Sequence, residues 1–405
     1  MSKYQNQVLM VGWEYPPHNS GGLGVACEGM TQALAEQSTQ IYFTLPYRFS
    51  QKLGHMKVIT CQTTSEFLEA PPFHAYSQVL PCQRKLTSAD LEDFSNLPQS
   101  EIEQRVNQYA SQVLSQGQKL RNGYDLVHAH DWMSFPAAMK LQQKLHKPFI
   151  AHVHSTEFDR IPSGHGSHYI AHTEYMGLRQ ADKVIAVSHF TKKILMEKYF
   201  VDEKKIEVIH NGVSPVASLG EVPRFASRRP VIVFMGRLTA QKGAEYFLQL
   251  AKAVLRSIPD ALFVVAGSGD QYHSLLFKNA DQQLSASVLF TGFLRDHQKD
   301  VLLSRADVFV MPSLSEPFGL VALEAAQRGT PVIVSKNSGV REILKSAPEA
   351  DFWDIEVMTN QIKSLLQDQN YRQQVIEGQN HDLENSTWGN AATQIKKVYD
   401  QVKKS

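Results

Sequence analysis

Glu316 and Glu324 stand eight positions apart, around Pro317-Phe318-Gly319-Leu320. An ionised carboxylate only accepts hydrogen bonds, and the bonds it accepts are short and charge-assisted, which suits sugar or ribose hydroxyls. Glu316 falls in a loop after an apolar run; Glu324 falls one to two turns into the helix that follows. A second group is Gly236-Arg237-Leu238-Thr239-Ala240-Gln241-Lys242-Gly243. Arg237 and Lys242, five positions apart at a helix start, make an anion clamp to which the helix dipole adds. A third is Asn19-Ser20-Gly21-Gly22-Leu23-Gly24, where glycines let backbone approach a ligand and a helix start offers N–H groups to an anion. Its spacing is neither G-x-G-x-x-G nor a P-loop, so it indicates neither dinucleotide binding nor ATP hydrolysis. Last come His128-Ala129-His130-Asp131-Trp132 and His152-Val153-His154. Alternate residues of a strand face one way, so the two H-x-H pairs could converge into a metal site of hydrolase type. Each motif also has a plain reading: a tight turn without ligand, two solvated cations, an exposed helix glutamate, polar residues at strand ends.

These residues need a scaffold that gathers loops at one edge. Short apolar runs supply it: Val8–Gly12, Ile41–Leu45, Leu126–Ala129, Phe149–Val153 and Val184–Val187 read as strands, with helices at Gly22–Gln37 and Glu101–Arg121. The pattern restarts after residue 230. Strands are expected at Val231–Met235, Leu262–Ala266, Val288–Thr291, Val308–Met311 and Val332–Val334, and helices at Ala244–Ile258, Asp296–Ala306 and Val321–Arg328. Alternation of apolar strands with helices means parallel sheets covered on both faces, with ligands at the strands' C-terminal ends. The proline-bearing stretch Gly212–Pro230 reads as a break. The expected organisation is a domain over 1–212, a linker over 213–230, a second domain over 231–387, and a final helix from Trp388.

Bulk properties narrow the function. With 41 basic and 40 acidic residues, the chain lacks the basic excess that nucleic acid demands. The arginines 224, 228 and 229 read as part of a solvated linker. Three cysteines, Cys27, Cys61 and Cys82, without a C-x-x-C pair fit a reducing cytoplasm better than a disulfide framework. No apolar run approaches the ~20 residues that span a bilayer.

Together these motifs resemble the retaining glycosyltransferases of the GT-B fold, family four, and their glycogen and starch synthase relatives. The marks are Gly21-Gly22-Leu23-Gly24, His130-Asp131-Trp132, His154, Gly236-Arg237 with Lys242-Gly243, and Glu316 to Glu324. The resemblance implies two Rossmann-like domains facing each other across a cleft. It implies a nucleotide-sugar donor and a hydroxyl acceptor, with glucose moved from UDP- or ADP-glucose to an α-1,4-glucan or oligosaccharide. Position by position, the Gly21, Gly22 and Gly24 backbone approaches the diphosphate and sugar, and Arg237 and Lys242 neutralise the diphosphate. Glu316, beside Gly319 and Leu320, holds donor-sugar hydroxyls, and Glu324 holds the ribose. His154 sits against the donor sugar and Asp131 near the reacting centre. The final helix often crosses back to the first domain. No cofactor or metal is required. One departure is Asn19, where many bacterial glycogen synthases carry lysine; it puts ADP-glucose in doubt and makes UDP-glucose the more natural donor. The rivals are a GT-B nucleotide-sugar epimerase, the metal hydrolase, and a non-catalytic sugar-nucleotide-binding protein.

Overall fold

The computed structural model describes residues 4–19, 21–61, 101–161, 166–215 and 229–404. Ser20, Cys82 and the linker residues Pro223, Arg224 and Arg228 lie outside them. The chain divides into two compact units, one comprising Met1–Gly212 with Trp388–Ser405, the other Val213–Thr387.

The first unit runs β1 (Asn6–Val11), α1 (Gly22–Glu36), β2 (Thr39–Leu45), β3 (Lys57–Thr60), α2 (Glu101–Lys119), β4 (Leu126–His130), α3 (Phe135–Leu145), β5 (Phe149–Val153), α4 (Glu157–Arg160), α5 (His168–Gln180), β6 (Lys183–Ala186), α6 (His189–Tyr199) and β7 (Ile206–Val208). Among the described residues its strands form one parallel sheet in the order β3-β2-β1-β4-β5-β6-β7. β1, β4 and β5 are buried almost throughout, which explains runs such as Val-Leu-Met-Val instead of a polar alternation. Local signals start the helices between them. Thr156 and Asp159 form a capping box on α4, and the Ser167 and Ser188 hydroxyls cap α5 and α6.

The second unit runs β8 (Val231–Met235), α7 (Ala244–Leu255), β9 (Leu262–Ala266), α8 (Tyr272–Asp281), β10 (Val288–Gly292), α9 (Asp296–Arg305), β11 (Val308–Met311), α10 (Leu320–Gln327), β12 (Val332–Ser335), β13 (Glu349–Ala350), α11 (Ile355–Gln367) and α12 (Gln369–Leu383). Its parallel sheet has the order β10-β9-β8-β11-β12-β13. Phe234, Phe247, Phe263, Val308 and Ile333 are among the residues that fill its core.

The last helix, α13 (Trp388–Val402), packs on α1 of the first unit. A Cβ at Gly29 of α1 would lie 2.2 Å from Trp388 Nε1, so the two helices meet through a position that only glycine fits without rearrangement. Lys396 donates to the Gln37 carbonyl at the end of α1. Where expected elements and structure overlap, their bounds agree within a few residues.

Candidate functional site

In the second unit, strand order reverses around β8, which has β9 on one side and β11 on the other. The loops leaving these three strands are therefore brought together, at the place where open α/β sheets bind ligands. Gly236 N–H donates to the Ala266 carbonyl, Leu238 N–H to Ser268, and Leu314 N–H to Gln241. Two glycines are dictated by this crowding. Gly243 has φ of +74°, and a Cβ there would stand 1.9 Å from the Pro312 carbonyl oxygen. Gly319, with φ of +108°, is the N-cap of α10 and presses on Met311 and Val340. Both conformations lie in the left-handed region that L side chains adopt only with strain.

The loops deliver charge in pairs. Lys242, at the end of a short 3₁₀ turn, places Nζ 2.6 Å from Glu316 Oε2. Both side chains are largely buried, and the Ser313 hydroxyl is 3.5 Å from the same carboxylate oxygen. Glu316 is fixed through its backbone as well: its N–H donates to Asn337 and its carbonyl accepts from Gly339. Glu324, in the second turn of α10, pairs with Lys299 of α9 at 2.5 Å. The sequence reading gave Lys242 to a phosphate and Glu316 to hydroxyls as separate duties. The structure makes them one ion pair, and gives Glu324 a partner that sequence spacing did not suggest. Arg237 is half-buried in the turn after β8, where its carbonyl accepts from Thr239 N–H.

In the first unit, α1 starts at Gly22, and Gly21 is an extended N-cap without a side-chain cap. Gly24 answers to packing: a Cβ there would lie 2.4 Å from Asn19 Cβ, so the turn folds directly against the first turn of α1. Between β4 and β5, register pairs His130 with His152, so both H-x-H pairs share one face. They do converge. His128 Nε2 is 3.0 Å from His152 Nδ1, and His130 Nδ1 is 3.1 Å from His154 Nε2. Burial depresses all four imidazoles; His128 and His154 fall to about 3, and His130 and His152 well below the ordinary value. Asp131 follows in a left-handed conformation (φ of +57°) and accepts N–H bonds from His154 at 2.7 Å and Ser155 at 3.3 Å. Burial nonetheless raises its carboxyl to about 7, against the lowering effect of Arg160 and the two backbone donors.

Five further residues join these networks without having been singled out from sequence. Tyr399 of α13 reaches His128 Nδ1 with its hydroxyl at 2.7 Å. Arg160 lies between Glu157 at 3.0 Å and Glu174 at 3.5 Å, and Tyr199 donates to Glu174. Burial pushes Glu174 up to about 8. The T-x-x-D capping signal at Thr156 was legible and locates α4; nothing local pointed to Glu174 or Tyr399.

Comparison with known proteins fits this layout. Residues 219–381 match the family model described as glycosyl transferases group 1, and residues 92–216 match that of glycosyltransferase family 4. An uncharacterized glycosyltransferase of Bacillus subtilis, YqgM, is 31% identical over 63% of this chain and 71% of its own length. The chain belongs to the group 1 glycosyltransferases. This glycosyltransferase is also 27% identical to the glycogen synthase of Mycobacterium tuberculosis, over 98% of its own length and 95% of the relative's. Among solved structures, sucrose-phosphate synthase from Thermosynechococcus elongatus superposes with a TM-score of 0.79 at 19% identity, covering 98% of this chain and 99% of that one. That likeness concerns the fold, which is GT-B with two Rossmann-like domains. Among the described residues, no helix is long and apolar enough to cross a membrane.

Proposed function

We propose that this glycosyltransferase moves glucose, with retention of anomeric configuration, from UDP- or ADP-glucose to the end of an α-1,4-glucan or maltooligosaccharide. The observation that carries the reading is the buried Lys242–Glu316 pair beside the N-terminus of α10. A cation for a diphosphate and an acceptor-only carboxylate for hydroxyls stand within 2.6 Å of each other. The first N–H groups of α10, which have no partners within the helix, add positive potential.

Breaking a sugar–diphosphate bond moves negative charge onto the leaving phosphate and leaves the ring cationic. Arg237 and Lys242 meet the first change. Glu316 holds donor hydroxyls, and its carboxylate, released from Lys242 as the phosphate takes that cation, faces the second. Preorganised groups of this kind lower a barrier because they need not reorient during the step. Glu324 takes the ribose, and Gly319 and Leu320 approach the donor through backbone. Asp131 and His154 act on the reacting sugar, and the Gly21, Gly22 and Gly24 backbone on the diphosphate. Acceptor attack occurs on the face the phosphate leaves, with that phosphate taking the acceptor proton. No metal is needed at the diphosphate. The glycogen synthase relative supports glucan as acceptor, and the asparagine at position 19 supports UDP-glucose as donor. The buried thiols of Cys27 and Cys61 suit a reducing cytoplasm.

The test is transfer from radiolabelled UDP-glucose or ADP-glucose to maltotetraose, with products resolved by chromatography and the new linkage read by NMR. Extension by α-1,4-linked glucose is expected. Absence of extension with both donors defeats the glucan assignment, and conversion of the donor to an epimeric nucleotide sugar without acceptor defeats transfer.

A further inference from the structure

The four imidazoles of β4 and of the β5 end form a nitrogen-rich core that sugar transfer leaves without a task, His154 apart. Their rings are stacked or tilted with centroids 4.2–5.4 Å apart. Among the described residues, three of their nitrogens, His130 Nε2, His152 Nε2 and His154 Nδ1, are buried with no hydrogen-bond partner. Leaving a buried polar nitrogen unpaired is unfavourable, and native proteins leave few such groups. The two on His130 and His152, whose ring centroids are 5.4 Å apart, call for a common ligand that accepts nitrogen lone pairs.

We propose that His128, His130 and His152 bind a divalent transition-metal ion, zinc being the natural occupant. One ring nitrogen from each of the three lies within 4.8 Å of the others. A tetrahedral zinc with bonds of ~2.0–2.1 Å needs its nitrogens roughly 3.3 Å apart, so a contraction of at most ~1.5 Å, available from small side-chain rotations, completes the site. The outer contacts favour it. A metal-bound histidine usually engages its second ring nitrogen elsewhere, which fixes the ring. His128 Nδ1 meets the Tyr399 hydroxyl, and His130 Nδ1 meets His154, which turns Nε2 of both rings to the metal. His152 offers Nε2, or Nδ1 once His128 Nε2 lets go of it. Burial keeps all four rings neutral, the form that binds metal. An all-imidazole donor set selects zinc, copper or nickel over the oxygen-seeking calcium and magnesium. The ion ties the end of β4 to that of β5 and so holds the backbone that carries Asp131 and His154. It takes no part in the transfer step, and the site stands whether or not the donor and acceptor proposed above are right.

The experiment uses the untagged full chain, stripped with a chelator, incubated with zinc sulfate and passed through gel filtration. Elemental analysis is expected to find about one zinc per chain, and thermal unfolding to shift up by roughly 2–4 °C or more, as binding to the native state alone requires. Cobalt loading is expected to give the visible d–d bands of a tetrahedral site. His130→Gln and His152→Gln each lower zinc retention at least ~10-fold, and Tyr399→Phe raises the Kd ~10- to 100-fold through loss of the outer contact. His55→Gln, in a separate network with Tyr15 and Thr31, leaves retention unchanged. Wild-type protein that retains no zinc and stays colourless with cobalt overturns the proposal, whatever the variants do. Full zinc retention by a folded His130→Gln/His152→Gln double variant overturns it as well.

Discussion

Glu174 offers a direct measurement of what burial does to a charge in this fold. Its carboxyl accepts the Glu157 N–H and the Tyr199 hydroxyl, and it shares Arg160 with Glu157, to which the guanidinium is nearer. Burial, with the nearby Glu157 charge, outweighs that shared cation and raises Glu174 from an ordinary 4.5 to about 8. Between these two values the unfolded chain has released a proton that the folded chain keeps. Native protein then binds the extra proton, so this group's contribution to stability falls as pH rises, by about 1.4 kcal/mol per unit, and levels off above pH 8. Glu174→Gln removes the titration while keeping most of the shape. The stability of wild type minus that of Glu174→Gln should therefore fall by several kcal/mol between pH 5 and pH 8. Taking the difference cancels every other titrating group, the histidine cluster included. Urea unfolding of chelator-treated protein, at constant ionic strength and pH 5, 6, 7 and 8, gives the numbers. A Trp353→Phe background leaves Trp13, Trp132 and Trp388, so fluorescence reports the first unit alone. A difference that stays flat across this range would refute the reasoning, because it would mean that Arg160 keeps Glu174 ionised in the fold.

Other expectations concern the second unit, the donor and the final helix. Glu316→Gln should lower kcat ~100-fold or more, and Lys242→Ala should raise the donor KM and lower kcat; steady-state kinetics of the double variant should show a smaller loss than the two single losses combined, since each single change strands the other charge. Full additivity would mean that the pair does not act as a unit. Gly243→Ala should destabilise by about 3 kcal/mol or more, and Gly292→Ala, which shares a positive φ but meets nothing within 4 Å, by only about 1 kcal/mol; equal melting temperatures would contradict this. Added Mg²⁺ or Mn²⁺ should leave the initial transfer rate unchanged, and a severalfold stimulation would move the phosphate's counter-charge from Arg237 and Lys242 to a metal. Removing residues 388–405 should leave the first unit unable to unfold cooperatively, as followed by circular dichroism in urea.

What could be read in advance was whatever the chain writes locally. Apolar runs between glycine turns gave β1, β4, β5, β8, β9 and β11, because strands buried on both faces must be apolar throughout. The turn Gly236 to Gly243 and the run Glu316 to Glu324 were visible for the same reason. Helices α5 and α6 are harder to read: His168–Gln180 and His189–Tyr199 mix polar and apolar residues without a clean stripe, although the serine before each is an available start signal. Pairings across the fold were beyond reach. Lys299 finds Glu324 across 25 positions and Tyr399 finds His128 across 271, and only the packing of helices on sheets decides such meetings. That each histidine pair lies on one face of its strand follows from alternation alone; that the two pairs share a face and bond to each other requires the register of β4 against β5.

The place of α13 bears on how the molecule is born. The second unit is one uninterrupted stretch, Val213–Thr387, and closes on itself where Val213 donates to the Ser386 carbonyl. The first unit is completed only by the segment from Trp388 onward, which brings Trp388 to Gly29, Lys403 to Asn6 and Tyr399 to His128. On the ribosome, therefore, the half synthesised first is finished last. The later half can complete its core once its own residues have emerged, while α1 waits with an open groove until the final helix is released from the exit tunnel. Nascent chains stalled before residue 388 are accordingly the species for chaperones to shelter, through the uncovered face of α1.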